Sequence, residues 1–316
     1  MILLATPTAP GSTHGNGVST RRWTRILEDL GHTVEVAEDY RAGDHAMLLA
    51  MHARRGAAAV RAFRADHPRA PIVLALTGTD LYPDFSGIDR AMLALTDRLI
   101  VLQPHGLVQV GPDLAGRTRV IVQSVPAIER RPPRGDCFEV AFLAHARPVK
   151  DPLRLPEATR LLPPGSRIRV THVGRTRAPE LAGVLTAETA ANPRYDWLGP
   201  VGREQALAVL ARSRLMALTS LHEGGANVIS EALAARVPII ASHIPSSVGL
   251  LGETYPGYFP PGDTAALAEL LYQAEHDSDF YAALADHCAA LAPMVDPARE
   301  RQAFASLLKE LNVTPH

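Results

Sequence analysis

The chain has 316 residues, of which 47% are hydrophobic and 21% charged, with a formal net charge of −1. A length of this order suits two domains of about 130–160 residues each, and the composition excludes a disordered chain. The near-zero charge excludes wholesale binding to nucleic acid, whose phosphate backbone calls for a basic excess, so any anionic ligand needs a local cluster of cations.

The first residues, Met1–Pro7, lack a basic segment and run directly into a strand pattern, so a signal peptide is not expected. No stretch approaches 18 consecutive apolar residues, so no membrane span is expected, and the expected compartment is the cytoplasm. The two cysteines, Cys137 and Cys288, have no metal-ligand spacing and are expected as reduced thiols.

In chain order, Ile2–Thr6 predicts a buried strand, Arg21–Leu30 a helix ending at Gly31, and Thr33–Ala37 and Ala46–Met51 strands. Arg55–Asp66 predicts a helix stopped by Pro68, Ile72–Thr77 a strand and Asp89–Leu95 a helix. Leu99–Gln103 and Val120–Gln123 complete the strands of the first half. Pro126–Asp136, with three prolines and no apolar period, predicts an interdomain linker. Beyond it, Val140–Leu143, Ile168–Val173, Tyr195–Leu198, Leu215–Thr219 and Pro238–Ala241 predict strands. Glu180–Ala191, Glu204–Arg212, Val228–Ala235, Thr264–Glu275, Phe280–Leu291 and Ala298–Leu311 predict helices. Strands alternating with helices imply parallel βαβ units: an α/β protein of two Rossmann-like domains, residues 1–130 and 136–296. Function is then expected in the loops that follow strands.

One such loop runs His222-Glu223-Gly224-Gly225-Ala226-Asn227-Val228 and opens a helix carrying Glu231. The glycines permit close backbone approach, and the unpaired N–H groups of the new helix favour phosphate. Two carboxylates beside a phosphate site suit a ligand that carries both polyol and diphosphate. A second loop holds Arg147 and Lys150, two cations able to neutralise a diphosphate leaving group. A third contains Thr13-His14-Gly15-Asn16-Gly17 before Arg21 and Arg22, and its spacing is not that of a dinucleotide fingerprint. Three more strand ends place polar groups beyond apolar runs: His52 with Arg54 and Arg55, which suit an anion pocket; Thr77, Thr79 and Asp80, which suit sugar or acceptor hydroxyls; and Val122-Gln123-Ser124. Asp80 would equally suit capping the next helix.

The Glu223–Glu231 segment resembles the glutamate–seven–glutamate motif of retaining glycosyltransferases of the GT-B fold, particularly glycosyltransferase family 4. The resemblance implies two Rossmann-like domains facing each other across a cleft, with the last helix, about 297–316, packing back on the first. It implies Glu223 on the donor sugar, Glu231 on the ribose, and the backbone of Gly224, Gly225, Ala226, Asn227 and Val228 on sugar and diphosphate. It places Arg147 and Lys150 on the leaving group, and Gly15, Asn16 and Gly17 near the donor phosphates.

The first-half loops, above all Leu76-Thr77-Gly78-Thr79-Asp80-Leu81-Tyr82 with His52-Ala53-Arg54-Arg55 and Gln123-Ser124, resemble the selenosugar synthases of selenoneine biosynthesis over nearly the full chain. Other family 4 members often carry a histidine where this chain has Thr77-Gly78-Thr79, a departure that fits a changed acceptor. What this implies is selenium–carbon bond formation. Selenophosphate would attack the anomeric carbon of UDP-N-acetylglucosamine or UDP-glucose, with His52 among the catalytic residues. His14, Arg21, Arg22, Arg54, Arg55, Thr77, Thr79 and Asp80 would line the acceptor side. The family suggests retention at the anomeric carbon, whereas an anionic nucleophile would also suit attack from the opposite face.

No cofactor and no essential metal are expected, since no acidic DxD-like pair follows a donor-side strand; Asp277-Ser278-Asp279 falls between two late helices. The substrates implied are a UDP-sugar and selenophosphate, with neither nucleic acid nor membrane as partner. A family 4 hexosyltransferase with a hydroxyl acceptor and a two-lobed binding protein without catalysis are the alternatives.

Overall fold

All four residues of β1 (Ile2–Ala5) are buried, as a parallel strand covered on both faces requires. Its side chains alternate between two cores: Leu3 and Ala5 join Val60 and Phe63 on one face, Ile2 and Leu4 join Trp23 and Leu27 on the other. The computed structural model describes residues 1–7, 15–78, 80–176 and 178–315, and the chain divides into two compact units. The first comprises Met1–Ser124, Glu223–Asn227 and Pro297–His316; the second comprises Val125–His222 and Val228–Asp296.

In the first unit β1 is followed by α1 (Gly15–Asp29), β2 (Val34–Ala37), β3 (Met47–Met51), α2 (Ala57–Asp66) and β4 (Ile72–Leu76). Then come α3 (Arg90–Ala94), β5 (Arg98–Val101), α4 (His105–Val110), α5 (Pro112–Ala115) and β6 (Thr118–Val120). The six strands form one parallel sheet in the order β2-β1-β3-β4-β5-β6. The C-terminal helix Pro297–Glu310 lies on the Trp23 side, where Phe304 meets the Trp23 ring edge-on at 5.3 Å between centroids.

The second unit holds β7 (Phe138–Leu143), α6 (Arg154–Arg160), β8 (Ile168–Val173), α7 (Pro179–Ala191), β9 (Tyr195–Trp197), α8 (Arg203–Arg212) and β10 (Leu215–Leu218). These are followed by α9 (Asn227–Ala234), β11 (Ile239–Ser242), α10 (Pro245–Leu251), β12 (Tyr258–Phe259), α11 (Thr264–His276) and α12 (Ser278–Leu291). Its parallel sheet has the order β12-β11-β10-β7-β8-β9. Fully buried Glu139 on β7 ties the unit together: it receives both arms of Arg212 at 2.8 Å and the Thr171 hydroxyl at 2.7 Å.

Four features differ from the sequence expectation. Helix α1 starts at Gly15 rather than Arg21. Ser19 and Thr20 are buried and the Thr20 hydroxyl donates back to the Asn16 carbonyl at 2.8 Å, so packing carries the helix through residues of poor propensity. Helices α4, α5, α6 and α10 were not expected; at four to seven residues they are too short to complete an apolar period. The proline-rich segment is not a free tether. Ile128 N–H donates to the Ala234 carbonyl and Arg131 N–H to the Ala211 carbonyl, satisfying the exposed ends of α9 and α8. Finally, the two-residue strand β12 was not expected; Asp277 lies between α11 and α12, as expected, and caps α12 by accepting from the N–H groups of Asp279 and Phe280 at 3.0 Å. Both cysteines are free and buried, and burial raises the thiol of Cys288 to about 11. Among the described residues, no helix is long and apolar enough to cross a membrane.

His172 on β8 is wholly buried between the Tyr195 hydroxyl at 2.5 Å and the Ala144 carbonyl at 2.8 Å. Burial lowers its pKa to about 4. The folded ring stays neutral while an unfolded one protonates near pH 6.5, so stability is full above that pH and falls as pH drops towards 4. The loss over that window is expected to reach about 3 kcal/mol. Urea denaturation at pH 7.5 and pH 4.5 measures it, and in His172→Gln the decline is expected to be smaller by that amount.

Candidate active site

The second sheet grows from β7 outward through β8 and β9, then returns to β10 and grows the other way through β11 and β12. The strand order therefore reverses between β7 and β10. At such a switch point the loops leaving the two carboxyl ends diverge and open a crevice. The loop after β7 carries Arg147 and Lys150; the loop after β10 leads into Glu223 and α9.

These two loops are bound to each other. The Thr219 hydroxyl donates to the carbonyls of Lys150 at 2.7 Å and Asp151 at 3.0 Å, and Leu221 N–H donates to the Val149 carbonyl at 2.9 Å. Pro148–Lys150 form a short 3-10 turn with Arg147 exposed before it and Lys150 half-buried at its end. The β7 loop is pinned from its other side by His172 on the Ala144 carbonyl and by a bridge between Ala146 and Thr176. Gly174 makes the crossing possible, because a Cβ there would stand 1.8 Å from the Ala144 carbonyl oxygen.

Glu231 sits one turn inside α9, mostly buried, and accepts from Arg203 at 2.7 Å. Glu223 is half-buried. The segment Glu223–Asn227 groups with the first unit, where it packs closely. A Cβ on Gly224 would fall 2.5 Å from the Gly78 nitrogen, and one on Gly225 2.5 Å from the Leu102 Cβ. These glycines serve close approach to neighbouring chain. Ala226 is buried, and Asn227 and Val228 are half-buried at the start of α9.

In the first sheet the order reverses between β1 and β3. The loop after β3 begins with His52, whose φ of 71° is unusual for a side chain of this size. Burial lowers the His52 pKa below its usual value, Arg55 and Arg54 add to that, and Asp80 opposes it. Arg54 and Arg55 are exposed, and Arg54 Nη1 reaches the Gly87 carbonyl at 3.1 Å. Thr77 is half-buried after β4. Asp80 is fully buried and accepts backbone N–H groups from Ala53 at 2.8 Å, Thr77 at 3.0 Å and Gly78 at 2.7 Å. It neither caps α3, which Asp89 does, nor offers its carboxylate to solvent; it binds the loops after β3 and β4 to each other.

Of the remaining predicted residues, Arg21 is exposed on α1, while Arg22 is engaged by Glu300 at 2.8 Å. Gly15, Asn16 and Gly17 form the first turn of α1 rather than a loop. His14 and Thr79 lie outside the described residues, as does Thr13. Sequence reasoning gave no role to Gly174, His172, Arg203 or Glu300, which act through long-range contacts that leave no local pattern. Gln123 was noted as a strand-end residue and as part of the resemblance, with no role given to its side chain. Among the described residues, no group of three or more His, Cys, Asp or Glu side chains gathers as a metal site.

Both units are parallel, doubly wound α/β folds, and the second carries polar loops at its switch point. Residues 127–289 match the family model of glycosyl transferases group 1, and the chain belongs to that family. No curated protein matches by sequence. Among solved structures, sucrose-phosphate synthase from Thermosynechococcus elongatus superposes with a TM-score of 0.80 at 14% identity, covering 98% of each chain. Anabaena HepE, solved with UDP and glucose, gives 0.76 at 17% identity over 98% of this chain and 99% of that one. A glycosyltransferase from Rickettsia africae gives 0.75 at 13% identity over 98% of each. The chain shares their GT-B fold.

Gly174→Ala is expected to destabilise the protein by about 1–3 kcal/mol or more, since backbone faces the new methyl and cannot rotate away. Denaturation midpoints measure the cost. A midpoint equal to that of the wild type would contradict the tight crossing of the β7 loop.

Proposed function

We propose that the chain is a UDP-sugar-dependent glycosyltransferase that joins selenium to carbon, using selenophosphate as nucleophile. One observation carries the donor half. The loop leaving β10, held to the Arg147–Lys150 loop through Leu221 and Val149, leads into the Glu223–Glu231 segment that opens α9, in a chain of the group 1 family. HepE has been solved with UDP-glucose, which supports a uridine diphosphate donor. In this reading the N–H groups at the start of α9 and the two cations receive the diphosphate. Glu223 accepts from sugar hydroxyls, and Glu231, steadied by Arg203, accepts from the ribose.

The acceptor half rests on the loops after β3 and β4 and on the sequence resemblance they carry. Burial holds the His52 ring neutral at pH 7, so it would serve as a hydrogen-bond donor, with charge supplied by exposed Arg54 and Arg55 and by Arg21. Selenophosphate is already ionised and its selenium is nucleophilic, so no general base has to remove a proton. Selenium bonds to the anomeric carbon as the carbon–oxygen bond to UDP breaks, and UDP leaves with the electron pair. Water then cleaves the phosphorus–selenium bond, releasing inorganic phosphate and a 1-seleno-sugar. No step calls on a metal ion, because Arg147, Lys150 and the α9 N–H groups would balance the charge on departing UDP.

Purified protein incubated with UDP-N-acetylglucosamine or UDP-glucose and enzymatically generated selenophosphate is expected to yield a sugar with the selenium isotope pattern in mass spectrometry. UDP release only with a hydroxyl acceptor would overturn the selenium reading in favour of a hexosyltransferase. Binding with no UDP release would overturn both. Activity is expected to survive EDTA. Lys150→Ala is expected to lower kcat by about 100-fold or more. Arg54→Ala and Arg55→Ala are expected to raise the KM for selenophosphate about tenfold or more with the UDP affinity unchanged.

A further inference from the structure

Gln123 follows β6 and is buried. With its amide set so that each end meets a partner, the nitrogen donates to Asn227 Oδ1 at 3.0 Å and to the Gly225 carbonyl at 3.2 Å. The oxygen accepts from Arg22 Nη2 at 3.2 Å and from the Ser19 hydroxyl. Arg22 is itself held by the buried carboxylate of Glu300, which takes Arg22 Nε at 2.8 Å. The same carboxylate accepts from Trp23 Nε1 at 2.7 Å, from Ser124 N–H at 2.9 Å and from the Ser124 hydroxyl at 2.5 Å. An unbroken run of hydrogen bonds thus leads from the C-terminal helix to the glycine turn before α9.

The consequence follows from peptide geometry. In a planar trans peptide the C=O and the N–H point in opposite directions. Tying the Gly225 carbonyl to Gln123 therefore aims the Ala226 N–H the other way. With its oxygen occupied, the Asn227 carboxamide keeps its NH2 group for another acceptor. The Ala226 N–H stands at the helix entry, where backbone N–H groups have no partner within the helix.

We propose that Gln123 is a positioning residue for the donor loop, and that Glu300, acting through Arg22, fixes the amide orientation of Gln123. The Ala226 N–H and the Asn227 carboxamide are then preset for the diphosphate of the nucleotide-sugar. The proposal deepens the donor reading above and rests on it. A polar residue that only filled the core would affect stability alone; this one also sets UDP affinity.

Gln123→Glu is the informative variant. It keeps the shape and the acceptor for Arg22 and Ser19, but it turns a carboxylate oxygen towards the Gly225 carbonyl and Asn227 Oδ1. Calorimetric titration with UDP is expected to show binding at least tenfold weaker than in the wild type. The kcat/KM for the UDP-sugar is expected to fall at least as far. Gln123→Met, which removes the donor without adding charge, is expected to weaken UDP in the same way and stands in where Gln123→Glu does not fold. Glu300→Gln is expected to produce a smaller loss. In an Asn227→Ala background the effect of Gln123→Glu is expected to shrink, because one of its two partners is gone. Folded Gln123 variants that bind UDP as tightly as the wild type would overturn the positioning role and leave the donor reading intact. A wild-type protein that binds neither UDP nor UDP-sugar would overturn both.

Discussion

A parallel sheet that grows outward in two directions from its first strand must leave two neighbouring carboxyl ends whose loops part to opposite faces. That constraint acts on the second sheet between β7 and β10, and the local chemistry depends on it. The loops then have to be held, because nothing in a strand order fixes their conformation. Thr219 and Leu221 supply the hold by donating to the carbonyls of Lys150, Asp151 and Val149. Gly174 lets the β8 end pass the β7 loop at a distance that admits no side chain.

Buried carboxylates do much of the remaining organisation. Removing a charge from water is costly unless donors surround it. Asp80, Glu139 and Glu300 are each buried, and each takes three or more donors. Asp80 joins two loops through their backbones, Glu139 joins β7 to β8 and α8, and Glu300 joins the last helix to α1 and to Ser124, beyond β6. In each case the charge converts flexible connections into fixed ones. Such groups are easily taken for ligand contacts in a sequence, as Asp80 was, because spent and available carboxylates look alike there.

Much of the architecture was legible. Continuous apolar runs such as Ile72–Leu76 and Leu215–Leu218 became central parallel strands, since burial on both faces selects for unbroken hydrophobicity. Short helices escaped notice because four to seven residues show no period, and α1 began early because Ser19 and Thr20 are packed against the sheet. That Gly224 and Gly225 lead into a helix carrying Glu231 was legible because these residues are close in sequence and a glycine turn before a helix is a local feature. The positive φ of His52 and its lowered pKa were not legible; the pKa is lowered chiefly by burial, with Arg55 and Arg54 adding to it against Asp80.

By itself, then, the sequence determined the class of sheet, the alternation of strands and helices, and a glycine-rich helix entry flanked by two glutamates. These follow from periodicity and from spacings of a few residues. Only the tertiary structure decided which strands adjoin, and hence that the Arg147–Lys150 loop lies against the strand end leading to Glu223. It alone decided that Asp80 is a clamp, that Arg203 backs Glu231, and that Glu300 reaches Gln123 through Arg22. Partners separated by up to 278 positions leave no trace in any local window, because their meeting depends on how whole elements pack.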